Sequence, residues 1–153
     1  WLTLTSHGVL KRQAEVDSEA IFAMIKYYSE QFKKDFQSAA INNQSKFQRP
    51  VVAAIIKTVP RLRGSLACAM QDIENPKALW LFRTSNPTTV KYFKDKNTII
   101  FAATDTMIEA ATKATSFSNP ENIQIGANQG LCFNAETNIY NRFDLESGNT
   151  LSY

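Results

Sequence analysis

Few side chains in this 153-residue sequence are of the types that catalysis or metal binding requires. There is one histidine, His7, and there are two cysteines, Cys68 and Cys132. These three residues do not supply the roughly four ligands of a standard zinc site, so we expect no metal and no other cofactor. Their spacing also reveals no Ser–His–Asp or Cys–His arrangement, and two cysteines do not form a disulfide framework.

Asp17 is the acidic side chain whose position suggests a role. It stands immediately before apolar residues that recur at helical spacing and predict an amphipathic helix over 18–38: Ile21, Met24, Ile25, Tyr28, Phe32 and Phe36. Asp17 or Ser18 can cap this helix, because a side-chain oxygen there accepts a hydrogen bond from an unpaired backbone N–H. On the sequence alone, capping is the favoured role.

The two thiols have a simpler interpretation. Cys68 lies within a run of small and apolar residues, 64–70, which is typical of a strand covered on both faces. A free cysteine in such a place is commonly a small buried hydrophobic residue. We therefore expect no catalytic role for Cys68 or Cys132.

The elements that must position these residues follow from the hydrophobic pattern. A second helix is expected over 50–58, with Pro50 as its first residue, and it should end at Pro60. The period then becomes strand-like, and two hairpins are expected from antiparallel strands at about 64–71, 78–84, 89–94 and 98–104. Asp105 should cap a short helix with Met107, Ile108 and Ala111 facing inward. Three short strands should follow, at 122–125, 130–133 and 139–143.

Helices followed by antiparallel strands indicate a single α+β domain over 1–153. The apolar fraction of 44% and the charged fraction of 20% are ordinary for a globular protein. The net charge of +3 is scattered, without the basic stripe of a nucleic-acid-binding protein. No apolar run approaches the roughly 20 residues that span a bilayer, and no secretory signal is visible. A cytoplasmic location without nucleic-acid or membrane partners is therefore expected.

Four short motifs occur in a particular order along the chain. They are an acidic D-S-E before a helix, a helix-to-strand passage, a strand that ends in arginine, and an F-A-A-T-D segment before a short helix: Val16–Ile21, Val59–Ser65, Leu79–Asn86 and Ile100–Asp105. Together they resemble the C-terminal part of a class II glutamine amidotransferase domain. This N-terminal-nucleophile hydrolase domain occurs in glucosamine-6-phosphate synthase, amidophosphoribosyltransferase and asparagine synthetase. The resemblance extends over about 14–143.

The resemblance implies a fold, an activity and one site residue. The fold would be an αββα sandwich, with two antiparallel sheets between helical layers. The activity would be hydrolysis of the glutamine side-chain amide, which releases ammonia for transfer. The aspartate of the family's D-[ST]-E motif binds the α-ammonium of glutamine, and Asp17 occupies that position. A carboxylate suits this role because it forms a charge-assisted hydrogen bond with an ammonium group.

The chain also departs from the family pattern. The family's nucleophile is an N-terminal cysteine, whereas residue 1 here is Trp1, and neither the family's arginine segment nor its H-N-G segment is found. Ser6-His7-Gly8 looks like H-N-G but lies closer to Asp17 than the family has it. We therefore expect an incomplete domain whose catalytic segment is missing or lies on a second chain, with no catalytic residue in this sequence. The alternatives are an inactive amidotransferase-like structural or assembly module, or a related hydrolase that acts on another amide.

Overall fold

The computed structural model describes residues 17–38 and 48–151. The chain divides into two compact units, Trp1–Arg63 and Gly64–Tyr153, and each is described by itself. His7 and the Ser6-His7-Gly8 segment lie outside the described residues.

The described residues of the first unit form two α-helices that pack against each other, α1 at Asp17–Ser38 and α2 at Gln48–Thr58. Helix α2 buries the positions expected of one helical face, Val51, Ala54, Ile55 and Thr58. The Lys57 ammonium lies 4.8 Å from the centre of the Tyr28 ring on α1, a cation–π contact between the helices. Both predicted helices are confirmed.

The start and the end of α2 differ in detail from the prediction. The helix begins two residues before Pro50, which is compatible with proline because the first-turn N–H groups have no intrahelical partner. After Thr58 the chain continues as a 3₁₀ turn, Val59–Arg61, that includes Pro60. None of the helices described between residues 17 and 151 is long and apolar enough to cross a membrane.

The described part of the second unit contains eight strands, one α-helix and a 3₁₀ turn at Lys94–Lys96. The strands, in chain order, are β1 Ala67–Asp72, β2 Asn75–Arg83, β3 Thr89–Phe93, β4 Thr98–Ala102, β5 Glu121–Ile123, β6 Gln129–Asn134, β7 Ile139–Asp144 and β8 Thr150–Leu151. The helix, α3, spans Asp105–Thr112. One sheet has the order β1-β2-β6-β7-β8 and the other β4-β3-β5. Every strand pair among the described residues is antiparallel, which confirms the predicted α+β class and both predicted hairpins.

The two sheets pack face to face around a shared apolar core. Its buried members come from both sheets and from the β5–β6 connection: Leu81, Val90, Tyr92, Ile123, Ile125, Leu131 and Phe133. The rings of Tyr92 on β3 and Phe133 on β6 lie 5.6 Å apart, so β3 lies over β6. Tyr140 on β7 donates a 2.8 Å hydrogen bond to Glu121 on β5. The faces that meet in this core are called the inner faces below.

Strand β2 is buried on both of its faces. Leu81 points to the inner face, and its chain neighbours Trp80 and Phe82 point the other way because side chains alternate along a strand. All three are at most 1% exposed. The prediction that the strand over 64–70 is covered on both faces is wrong, because Ala67 at its start is exposed and no residue of β1 is fully buried.

Helix α3 lies on the outer side of the three-stranded sheet, and two expectations about it are wrong. Thr104 is the residue that precedes the helix, and Asp105 is the first helical residue and not the cap. Only Ile108 is buried, whereas Met107 is 57% exposed and Ala111 is also exposed. A helix of eight residues has barely two turns, and here it presents a single position to the sheet.

Candidate functional site

Asp17 stands where the sequence places it along the backbone. It is the first residue of α1, so the predicted helix start is confirmed. Its side chain lies outside the part of the chain that the structure describes. Its proposed roles as a cap and as a ligand for an ammonium group therefore stay predictions.

Neither thiol has the surroundings of a nucleophile. Register places Cys68 opposite Phe82 and Cys132 opposite Trp80, on the face of the five-stranded sheet away from the core. Burial raises the pKa of the Cys68 thiol and raises that of Cys132 to about 12. A reactive cysteine needs a lowered pKa, because the thiolate is the nucleophile.

The described residues contain no group of three or more His, Cys, Asp and Glu side chains that could hold a metal ion. Two polar clusters in the second unit nevertheless have defined geometry. One contains Lys91 on β3, and the other contains Lys94, the residue that directly follows β3. Each cluster joins this part of the chain to elements that come later in the sequence.

The first cluster is a buried lysine with two carboxylates. The Lys91 side chain is 9% exposed, and its Nζ lies 2.5 Å from Asp105 Oδ1 and 3.9 Å from Glu109 Oε1. Asp105 and Glu109 are four residues apart on α3, so both face the same side of the helix. The arrangement holds a buried positive charge beside two carboxylates and fastens α3 to the outer face of β3.

An open polar cleft of about 340 Å³ adjoins this ion pair. Its lining comes from the start of β3, the start of α3, and β5 with the residues that follow it: Thr88, Thr89, Val90, Asp105, Asn122, Ile123, Gln124, Ile125 and Gly126. The half-exposed carboxylate of Asp105 gives the cleft an anionic group. Its lining contains no serine, cysteine or histidine, and its polar groups suit binding of a small polar molecule.

Two arginines of the five-stranded sheet hold one wall of this cleft. Arg83 donates a 3.3 Å hydrogen bond to the Ile125 carbonyl, and Arg142 donates one of 3.3 Å to the Gln124 carbonyl. Burial lowers the pKa of Arg142, although an arginine remains charged at any physiological pH. Gly126 N–H adds a 2.8 Å bond to Gln129 Oε1. The segment that joins the sheets is therefore fixed by charged donors.

The second cluster joins Glu121 with Lys94 and Tyr140. Lys94 Nζ lies 2.7 Å from Glu121 Oε2, and the Tyr140 hydroxyl donates to Glu121 Oε1. The hydrogen bond from Lys94, followed by that from Tyr140, lowers the pKa of Glu121. Burial, followed by the bond to Glu121, raises the pKa of Tyr140. Both pKa values therefore move away from neutral pH, where a general acid or base works best. The cluster is suited to a structural hydrogen-bond network.

Sequence reasoning missed both clusters, although Lys91 left a signal. In Val90-Lys91-Tyr92-Phe93 the alternation puts Lys91 on the same face as Phe93, which is buried. A lysine on a buried face needs a counter-charge, and Asp105 and Glu109 at helical spacing offer one. No comparable pattern in the sequence points to Tyr140 and Glu121, which are nineteen residues apart.

A scan against models of known protein families finds no match to this chain. A search among curated proteins finds no match either.

Proposed function

We propose that this chain forms the C-terminal part of a class II glutamine amidotransferase domain, in which Asp17 binds the α-ammonium of glutamine. One observation supports the proposal: each of the four motifs lies at the structural transition that the resemblance requires. Asp17 starts α1, and Val59–Ser65 leads from the 3₁₀ turn toward β1. Strand β2 ends at Arg83, and the fourth motif leads from β4 into α3.

The architecture of the second unit is compatible with the proposed αββα sandwich. Gly64–Tyr153 contains two packed antiparallel sheets with α3 on the outer side of one of them. Such a ββα arrangement is part of the layer order of an N-terminal-nucleophile hydrolase. The proposed fold adds a second outer helical layer to this arrangement.

In the proposed mechanism, Asp17 selects amino acids over plain amides. Its carboxylate would pair with the ammonium group of glutamine, and a charge-assisted bond is about twice as strong as a neutral one. Amide hydrolysis also needs a nucleophile, its base and an oxyanion hole. None of the family's segments for these roles is matched in Trp1–Tyr153. A further polypeptide segment or a second chain would supply them.

The first test uses the native gene product that carries this sequence, assayed for ammonia release from glutamine. Asp17→Ala should lose most glutamine use, and Asp17→Asn should also lose it while it keeps the ability to cap α1. The matched substrate is glutaric acid monoamide, which lacks the α-amino group and should be used equally by all three proteins. Equal glutamine use by the three proteins would reject the substrate role of Asp17.

The second test uses residues 1–153 alone. We expect no glutaminase activity from this polypeptide, together with association with a second chain or aggregation in light scattering. Loss of a nucleophile alone typically costs several orders of magnitude in rate. A monodisperse monomer that hydrolyses glutamine would contradict both expectations.

The alternative function is an inactive amidotransferase-like structural or assembly module. It is favoured by the burial of Cys132 and the partial burial of Cys68, which raise the pKa of both thiols, so that neither is suited to replace the missing nucleophile. Under this alternative the native gene product releases no ammonia from glutamine, and Asp17→Ala changes only the stability of α1. The ammonia assay on the native gene product therefore separates the two functions.

A further inference from the structure

The open cleft beside α3 has a single charged side chain in its lining, and its other polar side chains are neutral. The charged residue is Asp105, whose side chain is 54% exposed. The neutral polar side chains come from the start of β3, from β5 and from the residue after β5: Thr88, Thr89, Asn122 and Gln124. A negatively charged ligand would be repelled by the carboxylate, whereas a positively charged one would be attracted.

These polar side chains share the face of the three-stranded sheet on which α3 lies. Lys91 and Asn122 are directly opposite each other in register, so both point to this outer face. Thr89 precedes Lys91 by two positions on β3 and points the same way. Lys91 in turn pairs with Asp105 at the start of α3. The cleft therefore combines a hydroxyl, an amide and a carboxylate that come from β3, β5 and α3.

The Asp105 carboxylate is held in a fixed position without being fully neutralised. Lys91, whose side chain is buried, lies 2.5 Å from Oδ1 of Asp105 and 3.9 Å from the Glu109 carboxylate. Two carboxylates therefore share one ammonium group, which leaves one negative charge in excess. Within the part of the chain that the structure describes, Asp105 has no further ionic or hydrogen-bond partner. Its second oxygen, Oδ2, is thus left to accept a hydrogen bond from a ligand.

The state of this carboxylate favours an ammonium group over a guanidinium group. A guanidinium binds a carboxylate through both oxygens, and at Asp105 it would bring a second cation against the Lys91 ammonium at Oδ1. A primary ammonium is a compact charge with three N–H donors. It can donate to Oδ2 and to neutral acceptors such as the Thr89 hydroxyl and the Asn122 amide oxygen. The cleft volume of about 340 Å³ is at the lower end of the range for ligand pockets, about 300–1,000 Å³, so the ligand must be short.

We propose that this cleft binds a short primary amine with hydroxyl or amide groups, whose ammonium group pairs with Asp105. The site is largely formed before the ligand binds, as is usual for small-molecule sites. Arg83 and Arg142 hold the backbone carbonyls of one wall, and the buried lysine holds the carboxylate. The proposal does not depend on the proposed function, because Asp17 is not among the residues that line the cleft.

The test titrates the native gene product that carries this sequence with serinol, a primary amine with two hydroxyl groups, and follows binding by saturation-transfer difference NMR. Glycerol is the matched neutral control, because it has a hydroxyl in place of the ammonium group. The quaternary trimethylammonium derivative of serinol keeps the positive charge but has no N–H donor. We expect serinol to bind about tenfold more tightly than either control, as the loss of a hydrogen bond to a charged group predicts.

Four protein variants locate the binding. Asp105→Asn should weaken serinol binding about tenfold. Asn122→Asp adds a second carboxylate to the cleft and should strengthen binding about three- to fivefold. Asn138→Asp adds the same charge at the exposed β6–β7 turn, at the opposite end of β6 from the cleft, and should leave binding unchanged. Asp17→Ala should also leave it unchanged.

Several outcomes would overturn the proposal. They are equal binding of serinol and glycerol, no binding of serinol by the native sequence, and unchanged affinity in Asp105→Asn. Because Asn122 is exposed, its variant tests the site without disturbing the buried ion pair, and an Asn122→Asp protein that binds no more tightly than Asn138→Asp would also overturn it. Loss of serinol binding in Asp17→Ala would do the same, since the amine would then occupy the glutamine site of the proposed function. Serinol binding at the cleft without ammonia release from glutamine would reject the proposed function alone.

Discussion

Removal of the carboxylate beside the buried lysine should destabilise the second unit more than removal of a surface carboxylate. In Asp105→Ala, Lys91 keeps its buried position but loses the partner at 2.5 Å and retains only Glu109 at 3.9 Å. Leaving a fully buried charge unpaired costs about 3–5 kcal/mol. Asp105 itself is 54% exposed, so water screens the pair, and we expect about 1–3 kcal/mol.

A second effect of Asp105 must be separated from this pairing. Asp105 is the first residue of α3, where a carboxylate favours the helix by about 0.3–1 kcal/mol. In a Lys91→Met background, Asp105→Ala should lose only this helix contribution. The difference between the two backgrounds is the coupling energy of the pair, and we expect about 1–2 kcal/mol.

The assay is urea unfolding followed by fluorescence. Trp80 is fully buried, and in a Trp1→Phe background it is the only tryptophan. Asp95→Ala is the matched control, because Asp95 pairs with Lys96 at 3.7 Å on the surface and such pairs are typically worth about 0–1 kcal/mol. The reasoning is refuted if Asp105→Ala costs no more than Asp95→Ala, or if Lys91→Met leaves the cost of Asp105→Ala unchanged.

Three further predictions concern packing, thiols and pH. Gly130→Ala should lower the free energy of unfolding in urea by about 1–3 kcal/mol, because the added Cβ would clash with the Phe143 ring. An unchanged free energy of unfolding, or an equal loss in a Phe143→Leu background, would contradict this. Iodoacetamide at pH 8 should leave Cys132 unlabelled in the native protein and label it in urea, because burial raises the pKa of this thiol to about 12. Mass spectrometry measures the labelling, and rapid labelling of Cys132 in the native protein would disprove the prediction. The pKa of Glu121 is lowered on folding, so its stabilisation is complete above the ordinary value of 4.5 and is lost as the pH falls through the folded value. The stability advantage over Glu121→Gln should therefore shrink in acid urea titrations, and an advantage constant across that range would count against the network.

The regular elements could be predicted because each has a strong local pattern. The apolar spacing from Ile21 to Phe36 identified α1, and the change of period near Gly64 identified the start of the sheets. The hairpins β1–β2 and β3–β4 followed from turn residues between apolar runs. The sequence could not show that β5 would pair with β3 while β6 would pair with β2, because those pairings join segments far apart in the chain.

The polar features were harder to predict for a different reason. The prediction that Met107 and Ala111 face inward was wrong. Apolar spacing defines one face of a helix, but it does not define how much of that face the neighbouring sheet covers. Lys91 was overlooked because its burial depends on the packing of α3 against β3. The predicted ligand role of Asp17 rests on the family resemblance, since the local pattern of a cap and that of a ligand are the same.

The burial of β2 on both faces has a consequence for synthesis. Trp80 pairs with Cys132 on β6, so the central partner of β2 leaves the ribosome about fifty residues later. At about 5–20 residues per second, β2 waits about 3–10 s with only β1 beside it. During that interval Leu79-Trp80-Leu81-Phe82 is an uncharged apolar strand with one open edge. The yield of native protein in a host cell should therefore depend on chaperones that bind nascent chains, and slower growth at low temperature should raise it.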